Sequence, residues 1–408
     1  MAIELSNLTF TEQDDIVPES GVAQILNTGI ANTLAGDDII TGIATDSGGI
    51  RNFGSINTGD DNDIITGTSM SGSGIENLSN SSIDTGNGND IITAIGNAYI
   101  LYNNGTINTG NGDDSIIAEE NGNLPLYNSS NDGTINTDSG NDSIILNGGL
   151  YNSGVVLLGD GNDSFALTPS KFFPNRALDN YNALDTGDGD DTITSTGVIY
   201  NEGIINTDHG TDFIISYEGF SNSGLVFLGE GNDSLIGGAD LPNRGIENFN
   251  VIDTGDGDDH ISGYAYSHLY NEGIINTGNG NDEIYSTFIY NNGGAIITGD
   301  GKDSIYSSEG FESGPNSSGA WFLGDDDDYL HGFGSGDFYG GNGGRDIINF
   351  SQATGTYTVG IWGECPDKSV IFTKGNQIMI TSGFELLINV GELYNFDSLT
   401  PGQTITVG

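Results

Sequence analysis

The stretch TGNGDDSII, residues 109–117, decides how this chain is read, because close variants of it recur along most of the sequence. The copies are TGDDNDII from Thr58, TGNGNDII from Thr85, TDSGNDSI from Thr137, LGDGNDSF from Leu158, TGDGDDTI from Thr186 and TDHGTDFI from Thr207. They continue as LGEGNDSL from Leu228, TGDGDDHI from Thr254, TGNGNDEI from Thr277, TGDGKDSI from Thr298 and LGDDDDYL from Leu323. A degenerate copy, TLAGDDII from Thr33, and an irregular one, GGNGGRDII from Gly340, bracket the set. From Thr58 to Leu323 the spacing between neighbours is 21 to 28 residues. A single copy reads equally well as a flexible acidic linker, an ordinary turn or half of a metal site. Recurrence is what separates these readings.

Each unit carries an aromatic–Asn pair, a short polar turn with Gly, an aliphatic stretch, the Gly/Asp turn and a second aliphatic pair, as in LYNNGTINTGNGDDSII from Leu101. The aliphatic residues sit in short β-prone runs bounded by Gly and Asn, and no segment carries a 3.6-residue apolar stripe. Such a unit cannot bury its own aliphatic side chains, but stacking it on its neighbours aligns Ile on Ile in one core. The expectation is an all-β chain: a right-handed parallel β-solenoid of about 14 coils over residues 33–350, an N-terminal cap at 1–32, and a small C-terminal β cap at 351–408. Asn103, Asn128, Asn152, Asn201, Asn271 and Asn291 are expected to form a ladder along one corner, with Tyr102, Tyr127, Tyr151, Tyr200, Tyr270 and Tyr290 as a column beside them. A block of about 70 residues is loosely duplicated, PNRALDNYNALDTGDGDDTI from Pro174 matching PNRGIENFNVIDTGDGDDHI from Pro242.

Composition narrows the function. The 408 residues include 58 Asp and Glu against 8 Lys and Arg, a formal net charge of −50, and 66 glycines. A nucleic acid or an anionic lipid surface requires Lys and Arg, so cations are the natural partners. Cys365 is the sole cysteine, which leaves no intramolecular disulfide and no thiolate cluster. The N-terminal MAIELSNLTFTEQDDIVPES has neither a basic nor an apolar region of a cleaved signal, and no run of about 18 apolar residues suggests a transmembrane segment.

In TGNGDDSI the glycines permit backbone angles that turn carbonyl oxygens inward, and the final aspartate sets a carboxylate at the start of the next strand. Carbonyl plus carboxylate oxygen suits a hard cation with six to eight flexible ligands, calcium before zinc or copper. One turn supplies about half a coordination shell, so each ion would sit between stacked turns.

These residues resemble the RTX, or hemolysin-type, calcium-binding repeats, whose nonapeptide GGxGxDxUx is matched by TGNGDDSII at every position but the first. YGGNGGRDIINFSQATGTYTV from Tyr339 resembles the last such repeat running into its cap, and SGFELLINVGELYNFDSL from Ser382 a common tail. The resemblance covers roughly residues 33 to 408. By resemblance the family's metal-binding aspartate carries over to Asp63, Asp90, Asp114, Asp142, Asp163, Asp191, Asp212, Asp233, Asp259, Asp282, Asp303 and Asp328, with third-position side chains such as Asp188 and Asp256 as second-rank candidates. It also implies export by a type I system that reads an uncleaved C-terminal signal. The chain departs from the pattern in having Thr or Leu at the first position, Asp61 and Asp326 in place of the central glycine, and one motif per coil. That last feature places metal along one edge only, with YNxG turns closing the other.

Disorder would not place an aliphatic residue two positions after the aspartate in nearly every copy, and metal-free turns would not need the same aspartate. An enzyme needs clustered catalytic groups. The basic residues Arg51, Lys171, Arg176, Arg244, Lys302, Arg345, Lys368 and Lys374 are scattered, and His209, His260, His268 and His331 form no spaced set. A row of Thr58-to-Thr298 hydroxyls suggests ordered water on a flat face, although stacked Thr is also ordinary ladder chemistry. The Tyr column suggests sugar binding, and Trp321 and Trp362 are taken as packing residues. The expected function is a non-catalytic, secreted or cell-surface solenoid with a structural or adhesive role. Multiple Ca²⁺ would drive its folding, and the other partners would be itself, as a filament or surface layer, or an extracellular polysaccharide. The alternative is a carbohydrate-binding or polysaccharide-modifying β-helix.

Overall fold

A computed structural model describes residues 2–19, 21–122, 128–171, 173–238, 245–263, 267–314, 319–363, 368–390 and 392–407. Tyr127, Arg244, Cys365 and the PNR segment from Pro242 lie outside the described residues. The chain divides into two compact units, Met1–Ile214 and Ile215–Gly408. Each is a parallel β-solenoid, and the only helical elements among the described residues are short 3-10 turns. Among the described residues no helix is long and apolar enough to cross a membrane.

A coil of the first unit consists of three strands. Ile64–Ser69 follows a Gly/Asp turn, Ile75–Asn77 forms the second side, and Ser82–Asp84 leads into the next turn. Each pairs in parallel with its counterpart one coil on, with Ile65 opposite Ile92, Ile75 opposite Leu101 and Ile83 opposite Ile107. Side chains alternate along a strand, so one aliphatic residue per side points inward and stacks on the same residue of the next coil. Ile56, Ile83, Ile107 and Ile135 form one such buried column, and Ile65, Ile92, Ile116 and Ile144 another. Parallel pairing also involves residues 1–32, the expected N-terminal cap: Ala2–Glu4 pairs with Gln24–Asn27, and Ile30–Asn32 with Ser55–Asn57.

The second side ends on the asparagine ladder. Each Nδ2 donates to the next Oδ1, from Asn27 through Asn52, Asn77, Asn103, Asn131, Asn152 and Asn180 to Asn201. The same Nδ2 also reaches a carbonyl of the following coil, as from Asn103 to Thr134 at 2.9 Å. Two expectations are corrected here. Asn128 is not in the ladder; Asn131 takes the place, because the strand Ser129–Asn131 begins later than the YN pair suggested. The tyrosines form no continuous column: Ser130 lies between Tyr102 and Tyr151, and Asp179 between Tyr151 and Tyr200.

The second unit repeats the plan, with Asn222, Asn248, Asn271 and Asn291 laddered and Val226, Ile252, Ile275 and Ile296 buried in one column. Aromatic residues then replace aliphatic ones. Trp321 stacks on Phe338 at 4.3 Å between ring centroids, and Phe333, Phe350, Tyr357 and Phe372 gather beside the antiparallel strands Gly355–Trp362, Ser369–Lys374 and Gln377–Ser382. Trp321 is a packing residue. Trp362 is not, being 75% exposed on the outer side of its strand.

Candidate metal centre

The Gly/Asp turns lie one above another along one edge of each unit, and three features set their shape. The glycines hold left-handed angles, φ 87° at Gly110 and 136° at Gly112, and a Cβ on Gly112 would meet the Gly88 carbonyl oxygen at 1.7 Å. Where aspartate replaces the central glycine it keeps a positive φ, 86° at both Asp61 and Asp326. The first-position threonines face inward: Thr33, Thr58, Thr85, Thr109, Thr137, Thr186 and Thr207 are buried. Thr58 gives its hydroxyl proton to the Thr85 carbonyl at 3.3 Å, and Thr85 to that of Thr109 at 3.2 Å. Thr254, Thr277 and Thr298 are buried as well, so the threonines that open the turns do not form a solvent-facing row.

The aspartates named from the sequence form a single inner column in each unit, all buried. Their geometry repeats. The backbone N–H of Asp63 donates to Oδ1 of Asp90 at 2.7 Å, and that of Asp90 to Oδ1 of Asp114 at 2.8 Å. The series continues through Asp142, Asp163 and Asp191 to Asp212. In the second unit it runs from Asp233 through Asp259, Asp282 and Asp303 to Asp328. Oδ1 is therefore committed to the fold. Oδ2 is different: at Asp63, Asp90, Asp114, Asp142, Asp163 and Asp191, and at Asp282, Asp303 and Asp328, it is buried with no donor at hydrogen-bond geometry, the Thr hydroxyl of the same turn, where there is one, lying close by without completing a bond. Asp259 is the exception, its Oδ2 accepting from the Thr254 hydroxyl.

Burial of these carboxylates raises their pKa values, against a smaller lowering by the backbone amide and, except at Asp163 and Asp328 whose turns open on Leu, by the Thr hydroxyl of the same turn. Asp90, Asp142 and Asp212 rise to about 6, Asp63, Asp114 and Asp163 to about 7, and Asp191 to about 8. Asp282 rises to about 6, Asp303 to about 7, and Asp259 and Asp328 to about 8. A buried carboxylate oxygen without a partner requires a proton or a cation. In donor type, a row of carboxylate oxygens among turn carbonyls fits calcium.

Two residues of this column were not named as ligands from the sequence. Asp38 donates its N–H to Asp63 and accepts from the Asp15 amide, and Asp346 accepts from Asp328 and donates to Glu385 Oε2 at 2.7 Å. Both have the buried, unpartnered Oδ2. They belong to the degenerate bracketing turns, where the aspartate at the same position was the available signal.

The outward side chains of the turns differ from the inner column. At the fifth position Oδ1 already accepts a backbone N–H, as Asn62 does from Asn89 and Asn89 from Asp113. At the third position, Asp256 accepts from Asn279, and Asp188 lies 3.0 Å from His209 Nδ1. Asp188, Asp208 and His209 bring three ligand atoms within 4.8 Å of one another on the exposed surface.

The other candidate chemical groups are dispersed. Arg51 pairs with Glu76, Lys171 with Glu120, Arg176 with Asp179 and Lys302 with Asp327. Lys368 and Lys374 donate to the Phe396 and Thr354 carbonyls. His260 lies near Glu283, His268 packs edge-on against Phe288, and His331 is buried beside Tyr306.

No family model matches this chain, and no curated protein is similar to it. Among solved structures it is similar to the X-ray crystal structure of a hyperactive, Ca²⁺-dependent, β-helical antifreeze protein from an Antarctic bacterium, at 17% identity and a TM-score of 0.34 over 98% of this chain and 95% of that one.

Proposed function

We propose that this chain is a non-catalytic calcium-binding β-solenoid of the RTX type, which folds when calcium is supplied and serves a structural or adhesive role outside the cell. The observation that carries the reading is the repeated inner aspartate whose Oδ1 is fixed by a backbone amide while its buried Oδ2 has no partner. Asp63, Asp90, Asp114, Asp142, Asp163 and Asp191, together with Asp282, Asp303 and Asp328, would hold the ions, joined by Asp38 and Asp346. Calcium bound there would supply positive charge to a buried row of like charges, about a dozen ions offsetting roughly half of the formal −50.

Weak oxygen-ligand sites of this kind fill at extracellular calcium levels and stay empty in cytosol, which supports a secreted or surface location. The dispersal of the basic residues and histidines into ion pairs and ring contacts supports a role without catalysis. Far-UV circular dichroism with EDTA, then with added calcium or magnesium, tests the reading. β-Structure that forms with calcium and not with magnesium is the expected result; full β-structure in EDTA at neutral pH refutes it. Light scattering in the same titration tests self-association.

A further inference from the structure

The outward position just before each ladder asparagine carries a second pattern. In the first unit it reads Glu76, Tyr102, Ser130, Tyr151, Asp179 and Tyr200, each in register with the next. Ser130 is the small residue between two tyrosines. With coils about 4.8 Å apart, Tyr102 and Tyr151 are separated by roughly 9.6 Å along the stack. A saturated ring touching an aromatic face on each side needs about 8 Å. The slot between them opens into a cleft of about 450 Å³ that Phe173, Asp132, Arg176 and Asp179 also line.

The rim is built for a polar ligand. Arg176 lies over the Tyr200 ring at 4.6 Å and donates from Nε and Nη2 to Oδ1 of Asp179, which holds the carboxylate in place and leaves Oδ2 for a hydroxyl donor. Tyr151 and Phe173 are 42% and 51% exposed; Tyr151 is backed by Tyr181 at 5.0 Å between ring centroids, and the half-buried Tyr102 by Tyr99 at 5.3 Å. The second unit provides a contrast at the same position. Tyr270 and Tyr290 occupy adjacent coils, 5.2 Å apart and stacked on each other, which leaves no room between them.

We propose that the first-unit cleft binds a neutral glycan, one hexopyranose ring lying between Tyr102 and Tyr151 with its hydroxyls on Asp179 and Asp132. Aromatic faces pack against the C–H faces of a pyranose while carboxylates accept from its hydroxyls. The net charge of −50 repels acidic polysaccharides and so selects uncharged ones.

The test is saturation-transfer NMR and titration calorimetry on the full calcium-loaded chain, with cellohexaose, laminarihexaose and mannohexaose as neutral probes and a polygalacturonate oligomer as the acidic one. At least one neutral hexasaccharide should bind. Tyr102→Ala with Tyr151→Ala should weaken it by roughly tenfold. Ser130→Tyr should abolish binding by filling the slot with a residue that neighbouring coils already carry there, while circular dichroism stays unchanged. Tyr217→Ala, on the second unit, should bind as the parent does. The proposal is overturned if no neutral probe binds, if the acidic oligomer binds in preference, or if Ser130→Tyr folds and binds undiminished.

Discussion

The backbone amide of Asp90 donates to Oδ1 of Asp114 at 2.8 Å, and Oδ2 of Asp114 is left buried without a hydrogen-bond partner. One carboxylate thus serves both as a rung joining two coils and as a binding oxygen. Folding and ion uptake are linked through the same side chain.

Asp114→Asn separates the two roles. The amide oxygen can still accept from Asp90, and Nδ2 would face the Thr109 hydroxyl beside it. In EDTA at pH 8 the variant should retain more residual β-structure than the parent, since a buried charge has gone. In calcium the order should reverse, with loss of about 1.4 kcal/mol for a site held at ten times its dissociation constant. Circular dichroism in EDTA measures the first effect and urea melts in calcium the second.

The raised carboxyl pKa values fix the sign of the pH dependence. Without metal, folded groups titrating at about 6 to 8 against an ordinary 3.8 hold protons that the unfolded chain has already released. Their contribution to stability is complete below about pH 4 and is lost as pH rises through 6 to 8. In EDTA β-structure should therefore be held near pH 4 and lost as pH rises across that window. In saturating calcium the loss should be largely absent, because the ion replaces the proton.

Asn103 donates to Asn131 and to the Thr134 carbonyl and accepts from Asn77, all in the interior. Asn103→Ala should lower stability by about 2–3 kcal/mol through the partners it leaves unpaired. Asn104→Ala, on the half-buried turn beside it, should change stability by less than about 0.5 kcal/mol. Denaturant midpoints with calcium present compare the two.

Gly112→Ala forces an L residue to φ 136° with its Cβ 1.7 Å from the Gly88 carbonyl oxygen. Two coils must then separate at the turn. Stability in calcium should fall by more than about 1 kcal/mol, and calorimetry should lose at least one binding equivalent.

Much of this was readable from the sequence because a repeat reports its own register. The aspartate at a fixed distance from the next aliphatic residue gave both the coil and the inner column from Asp63 to Asp328. What was missed came from places where the repeat is irregular. The YN pair ahead of Asn128 imitates the ladder signature, yet its coil reaches the corner three residues later at Asn131. Asp38 and Asp346 sit in turns whose neighbouring positions have drifted, although the aspartate itself is kept. The burial of the threonines had no signal of its own, since Thr is equally at home inside or outside a β-ladder, and only the direction of the turn decides it. The slot at Ser130 depends on which residues of successive coils fall into register, and irregular coil lengths conceal that in the linear sequence.

The most direct measurement is a crystal structure grown in calcium, with an anomalous difference map collected at long wavelength. The account predicts peaks beside the inner oxygens of consecutive turns, next to Oδ2 of Asp63, Asp90 and Asp114 and of Asp282, Asp303 and Asp328. Peaks confined to the outward Asp and Asn side chains, or an inner column with no peak at all, would contradict it.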